Sequence, residues 1–337
     1  MPPSPRTVEI IGGGLAGLSL GLGLRRHGIP VTIREAGRYP RHRVCGEFIT
    51  GLGAETIRAL GMDEIFAHAR PAETVAWFDR RGGILRRRLP GRALCLSRHR
   101  LDQHLAARFE QCGGDLRTNE RASATPLEGR VLACGRKADS RSRLVGLKQH
   151  FHGLELAADL EMHLGRGTYV GLTRVEDGAV NVCGLFRHEG GPCRLIAKIE
   201  SCGLEALARR LAEAQAVEDS GCAVAALDYR PGGTRNDGLL LGDHGGLIPP
   251  FTGNGMTVAF QSAAAALEPL CEWAEGRRTW FDTVAAARAN RAAKVASKTL
   301  LARLLHPVLL HPGGQFLMRQ FSRSGLLPFD TVFRLLH

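Results

Sequence analysis

Three glycines, Gly12, Gly14 and Gly17, stand at the G-x-G-x-x-G spacing, and an acid, Glu35, follows them after a short apolar segment. Residue types in that order suit the binding of a dinucleotide. Gly12 permits a tight turn, Gly14 lets the backbone approach a pyrophosphate, and Gly17 lets a helix and a strand pack closely. Gly13, Leu15 and Ala16 complete the turn, where unpaired N–H groups and the positive end of a helix dipole face phosphate. Glu35 is suited to accept both hydroxyls of an adenosine ribose. Its charge favours FAD or NAD over NADP, whose additional phosphate it would repel.

The elements that position these residues are legible around them. Val8, Ile10 and Ile11 form a short apolar run suited to a buried parallel strand. Leu15 to His27 repeats apolar residues at helical intervals and stops at Gly28, and Val31 to Arg34 reads as a second strand ending at Glu35. Strand, glycines, helix, strand and acid together carry far more weight than the glycines alone.

Two further stretches supply cations. Arg41 and Arg43 follow the acid in AGRYPRHRVCGEFIT, and Arg43 is the first choice to neutralise a pyrophosphate. Arg98 begins the segment before an amphipathic helix over Gln103 to Gln111, where it is placed to reach a cofactor phosphate or ribose. A late stretch, Gly238 to Ala266, reads as a buried strand ending at Gly242-Asp243, a rigid loop from Pro249 through Gly253, Asn254 and Gly255, and a helix of small residues. The start of that helix again presents N–H groups, suited to negative charge on a reduced isoalloxazine.

Between these stretches, Thr74 to Phe78 and Ile84 to Leu89 read as a hairpin, Gln149 to Arg187 as antiparallel β, and Cys202 to Val217 as helix. Glu155, Glu161, His150, His152 and His163 fall in the β region. Alternating polar residues on an exposed sheet face explain them better than a metal site, so no metal is expected. Cys45 and Glu47 are candidates for chemistry by position only, and no catalytic acid or base is named.

Composition narrows the class. At 337 residues the chain has room for one two-part domain or two close ones. Its nine cysteines are scattered without a C-x-x-C pair, which suggests reduced thiols in the cytoplasm. The N-terminus MPPSPR runs directly into the first strand, so no signal peptide is expected, and no apolar run is long enough to span a membrane. The net charge is +12, and from Arg277 onward ten Lys or Arg face only Asp282 and Asp330. No nucleic-acid motif accompanies that charge. The segments Leu300 to Leu310 and Phe316 to Leu336 mix apolar residues with Arg303, Arg319, Arg323 and Arg334. They suit a cap on a substrate domain, a dimer contact or a peripheral lie on the inner membrane surface.

Taken in order, GGGLAG with Glu35, RHRVCGE, LSRHRLDQHL and LLLGDHGGLIPPFTGNGM resemble the FAD-dependent oxidoreductases of the para-hydroxybenzoate hydroxylase and geranylgeranyl reductase superfamily, from Thr7 to about Leu270. The resemblance implies an α/β fold in which a Rossmann-type FAD domain (1–70, 90–148 and 235–270) interleaves with an antiparallel-sheet substrate domain (71–89 and 149–234), followed by a helical region (271–337). It implies that the first motif binds the ADP half of FAD. Arg98 would lie by the cofactor, Gly242-Asp243 by the ribityl and pyrophosphate region, and the Pro249 to Gly255 loop by the flavin ring. It implies a monooxygenase acting on a hydrophobic or aromatic small molecule, with a reductase of unsaturated lipids and a non-catalytic flavin-binding protein as alternatives, in a monomer or homodimer.

One departure bears on the electron donor. Where the family has Ala-Asp-Gly followed by Ser and Arg, this chain reads Gly135-Arg136 within CGRKADSRS, which makes direct reduction by NAD(P)H less certain. The tryptophan motif of flavin-dependent halogenases is not visible, so halogenation is discounted.

Overall fold

A computed structural model describes residues 4–136, 141–187, 193–225, 227 and 238–337. The chain opens as expected, with β1 (Val8–Ile11), α1 (Leu15–Arg26) and β2 (Val31–Arg34), and then adds a short β3 (Phe48–Ile49) and α2 (Ala54–Leu60). A long hairpin follows, β4 (Arg70–Asp79) and β5 (Gly82–Cys95), reaching further on both sides than the apolar alternation of the sequence suggests. Helix α3 (Arg98–Gln111) starts earlier than its amphipathic pattern, because Ser97 caps it by accepting from the Arg100 N–H. Next come β6 (Asp115–Arg117), β7 (Arg130–Leu132) and the meander β8 (Leu144–His152), β9 (Leu160–Gly165), β10 (Thr168–Arg174) and β11 (Val180–Arg187).

Of the helix expected over Cys202 to Val217, α5 (Glu205–Glu213) forms, a separate α4 (Leu195–Ser201) precedes it across Cys202-Gly203, and the last residues turn into a strand. The chain continues through β12 (Gln215–Ala216), β13 (Cys222–Ala225) and β14 (Leu239–Leu240). It ends in four helices, α6 (Gly255–Ala274), α7 (Trp280–Leu310), α8 (Pro312–Arg323) and α9 (Phe329–Leu336).

The strands make two sheets. The first is wholly parallel, in the order β14-β7-β1-β2-β6. Its strands are short and apolar because both faces are covered: Ile10, Ile33 and Val131 are fully buried with Leu18, Leu22, Phe109 and Phe260 from α1, α3 and α6. The chain leaves β1 toward β2 and β6 on one side and returns to β7 and β14 on the other. The topological switch therefore lies at β1, where open α/β sheets bind ligands beyond their carboxyl ends.

The second sheet runs β12-β8-β11-β10-β9-β4-β5-β3, with β13 also on β8, and is antiparallel apart from the β4–β9 pair. Helices α4 and α5 cover one face through Leu195, Ile199, Leu207 and Leu211. The C-terminal helices cover another part, packing Val295, Ala302, Leu309 and Leu336 on Ile84, Met162, Leu164 and Tyr169. Arg319 pairs with Asp79, and Gln315 donates to the Gly165 carbonyl at 2.9 Å. Of the roles the sequence allowed for these helices, the cap on the second sheet is present.

Candidate functional site

Each glycine of the first motif occupies a place where its missing side chain matters. Gly12 has φ +107°, and a Cβ there would strike the Ala133 carbonyl at the end of β7. A Cβ on Gly17 would strike the Gly12 carbonyl, so the helix sits against the turn as the spacing requires. Gly14, at the N-cap of α1, faces open space, with nothing within 4 Å of a Cβ. That opening, beside the free N–H groups of α1, is the shape a phosphate needs. Leu15 and Ala16 are buried in the first turn of α1.

Glu35 stands beside this turn and is almost fully buried. Its carboxylate accepts from the Gly13 N–H at 2.7 Å, the Gly37 N–H at 2.9 Å and Arg41 at 2.6 Å. Burial drives its pKa upward, but the Gly37 donor, the charges of Arg41 and Arg43 and the Gly13 donor outweigh it and hold the acid below its ordinary value. Tyr39 also closes on the turn, donating to the Gly13 carbonyl.

The two arginines singled out from different stretches converge on one acid. Arg98 donates to Asp102 at 2.7 and 2.8 Å, one helical turn along α3, and Arg43 donates to the same carboxylate at 3.1 Å. Asp102 is wholly out of solvent. It was visible only as part of the LSRHRLD string, because nothing in a sequence shows that an i, i+4 acid also receives a residue from a distant loop.

The late motif closes the same corner. Gly242, with φ +55°, packs on α1 so that a Cβ would lie 3.2 Å from that of Ala16, and its N–H donates to Ser262 Oγ at 2.9 Å. Asp243 is exposed to the cleft but crowded. Removal from bulk water raises its pKa, against the pull of Arg98, Arg136, Arg291 and Arg43. His244 Nδ1 lies 3.0 Å from the Gly135 carbonyl, so the altered Gly135-Arg136 segment adjoins the Gly-Asp turn. Lys137 to Ser140 lie outside the described residues.

In the loop before α6, Gly255 faces open space, while a Cβ on Gly253 would run into the Phe48 ring. The Asn254 side chain is already engaged on both ends. Its Oδ1 accepts from Thr50 at 3.0 Å and its Nδ2 donates to the Leu336 carbonyl. It therefore holds the loop to β3 and to the C-terminal helix.

A buried ionic network joins this corner to the second sheet. Glu47, at φ +57°, has no exposed side-chain surface; its carboxylate lies 3.0 Å from Lys148 Nζ, 2.6 Å from His150 Nε2 and 3.0 Å from the Arg98 N–H. Burial pushes the acid up, and the His150 hydrogen bond and the Lys148 charge bring it below its usual range. Lys148 Nζ also lies 3.0 Å from His42 Nδ1, and His42 stacks on His99 with ring centroids 4.5 Å apart. Burial, then the charges of Lys148 and His150, lower His42 to about 4.

His42, Glu47 and His150 offer ligand atoms within 4.8 Å of one another, but the Lys148 ammonium already serves Glu47 and His42 as their cation. The exposed polar face expected for His150, His163 and Glu161 is not what the structure shows. All three are buried, because α5 and the RHRVCGE loop cover those strands. Glu161 binds His163 at 2.7 Å and Arg210 at 3.0 Å, a separate ion cluster.

Residues 6–136 match the family model described as an FAD binding domain. No curated protein matches the chain by sequence. Among solved structures it is similar to the flavin-dependent brominase Bmp2 (18% identity, 99% of this chain and 93% of that one, TM-score 0.76). It is also similar to Klebsiella pneumoniae HpxO complexed with FAD and uric acid (18%, 98% and 96%, 0.74). A third is a geranylgeranyl bacteriochlorophyll reductase-like protein of Thermoplasma acidophilum (15%, 98% and 96%, 0.74). The chain therefore shares its overall fold with these structures, and its first 136 residues include the stretch that matches the FAD binding domain.

Proposed function

We propose that this protein is an FAD-dependent oxidoreductase, a monooxygenase acting on a hydrophobic or aromatic small molecule. The observation that carries the reading is the match of residues 6–136 to an FAD binding domain, with Gly14 facing open space at the start of α1 and Glu47 tying the start of α3 to the second sheet.

In this reading Gly12 to Gly17 receive the pyrophosphate, Glu35 the adenosine ribose, and Arg43 and Arg98, set by Asp102, add positive charge. Gly242, Asp243 and the loop through Gly255 border the remainder of the cofactor. FAD, when bound, supplies the electron-transfer chemistry. The chain's own residues hold it, and the second sheet with its C-terminal cap shuts water out. NAD(P)H is the proposed transient electron donor. We assign the first sheet to an FAD domain and the second to a substrate domain, and place the protein in the cytoplasm. HpxO, complexed with FAD and uric acid, supports a small-molecule substrate.

The RHRVCGE stretch and the reductase-like neighbour favour one rival, reduction of an isoprenoid or other unsaturated lipid. The deciding experiment is a visible spectrum of the purified protein, then an anaerobic titration with NADPH and NADH. A two-banded flavin spectrum that bleaches supports the reading with its donor; one that stays unchanged directs attention to another donor at Gly135-Arg136. A colourless protein that FAD does not reconstitute overturns the assignment. Oxygen consumed with product formed marks the monooxygenase, and anaerobic product formation marks the reductase.

A further inference from the structure

The second half of α7 is built inside out. Its polar residues turn toward the protein: Lys298 donates to the His337 carbonyl at 2.7 Å, Arg303 reaches the Leu247 carbonyl at 3.5 Å, and His306 stacks on Phe251 with centroids 6.2 Å apart. Its outward face carries Leu300, Leu304 and Val308, one helical turn apart and exposed by 62, 64 and 45%. Val295, Ala302 and Leu309 line the inner face, so this stretch is apolar on both sides. A helix apolar all round is ordinarily covered all round. Helix α8, which packs on α7, adds Leu317 and Phe321, 54 and 47% exposed. Among the described residues, Leu127 is the one large apolar side chain this exposed that lies outside 281–335.

The charge around this face is mostly of one sign. From Thr283 to the end of the sequence Asp330 is the one side-chain carboxylate. Exposed Lys294, Arg323 and Arg334 lie on the three helices, and Arg86, Arg87 and Arg92 lie on β5, against which α8 and α9 pack. A second copy docked by this face across a two-fold axis would set these cations against their own kind. No helix is long and apolar enough to cross a membrane among the described residues. An apolar stripe rimmed mostly by cations, on helices not apolar enough to cross, matches the boundary between anionic headgroups and acyl chains.

We propose that the outer face of α7 and α8 docks on an anionic lipid bilayer. This inference is independent of the flavin reading, since docking is measured without turnover. The full-length protein, loaded with FAD where it takes it up, is sedimented with vesicles of phosphatidylcholine containing about one-third phosphatidylglycerol, and with phosphatidylcholine alone, at low and high salt. Binding to the anionic vesicles at low salt is expected. It should weaken at least about tenfold in high salt, in Leu304→Ser with Phe321→Ser, and in Arg323→Glu with Arg334→Glu. Circular dichroism confirms that the variants are folded, and light scattering reports their mass. Protein that stays in the supernatant with anionic vesicles overturns the proposal. So does a wild-type dimer that Leu304→Ser with Phe321→Ser dissolves, because a second copy would then cover the face.

Discussion

Glu47 Oε2 lies 2.6 Å from His150 Nε2, and through that contact the loop after Glu35 is fastened to β8 of the second sheet. The same carboxylate holds Lys148 and the first N–H of α3. One side chain thus ties this loop, β8 and the start of α3 together.

Removing its charge isolates a buried ammonium. Glu47→Gln should destabilise the protein by about 3 kcal/mol, since breaking a buried ion pair leaves the partner uncompensated. Urea denaturation checks this, and Lys148→Met in the Glu47→Gln background should recover part of the loss, giving a measurable coupling energy.

The acid limb of stability follows from two histidines. Burial lowers both His42 and His306 to about 4, from an ordinary value near 6.5. Between those values the unfolded chain binds more protons than the folded one, so stability rises with pH across the window and falls as pH drops from about 6.5 to about 4. Glu35 and Glu47, held below their ordinary values, add a further loss only at the acid end. Urea midpoints measured through this range should fall on acidification, and His42→Gln with His306→Gln should flatten the slope.

The glycines of the first motif should separate by what they touch. Gly17→Ala meets the Gly12 carbonyl and should prevent correct folding, visible as loss of soluble protein or of the cooperative melt. Gly14→Ala meets nothing within 4 Å, so stability should change by less than about 0.5 kcal/mol. Its methyl group enters the proposed phosphate corner, and FAD affinity measured by fluorescence should fall at least about tenfold.

Asp102 should behave as a positioning residue. Asp102→Asn leaves Arg98 and Arg43 without their shared partner, and a cost of about 3 to 5 kcal/mol is expected in denaturant unfolding. Arg43→Met retains the Arg98–Asp102 pair and removes a part-exposed cation. It should therefore leave stability within about 1 kcal/mol while weakening FAD binding.

The dinucleotide half of the fold was readable in the sequence because its requirements are local. A strand needs alternating or continuous apolar residues, the turn needs glycine at fixed offsets, and the acid must end the next strand. The positions from Val8 to Glu35 meet these demands within one short stretch, and the structure places them so. Strands β9 to β11 were also legible from their apolar runs and turn residues, whereas β8 begins at Leu144, before the antiparallel region expected from Gln149.

What the sequence could not determine was which polar groups share a partner. Asp102, one helical turn from Arg98, also takes Arg43 from a distant loop, and Lys148 joins Glu47 to His42, across separations where no periodicity links the residues. The expectation of an exposed polar face at Glu161, His150 and His163 failed for the same reason. Whether an alternating strand shows its polar side to water depends on what the rest of the chain lays over it. Here α5 and the RHRVCGE loop do so, and the buried charges are held by ion pairs because unpaired charge is too costly away from water. The residue types were set by the sequence, and their pairing and their exposure were decided by tertiary packing.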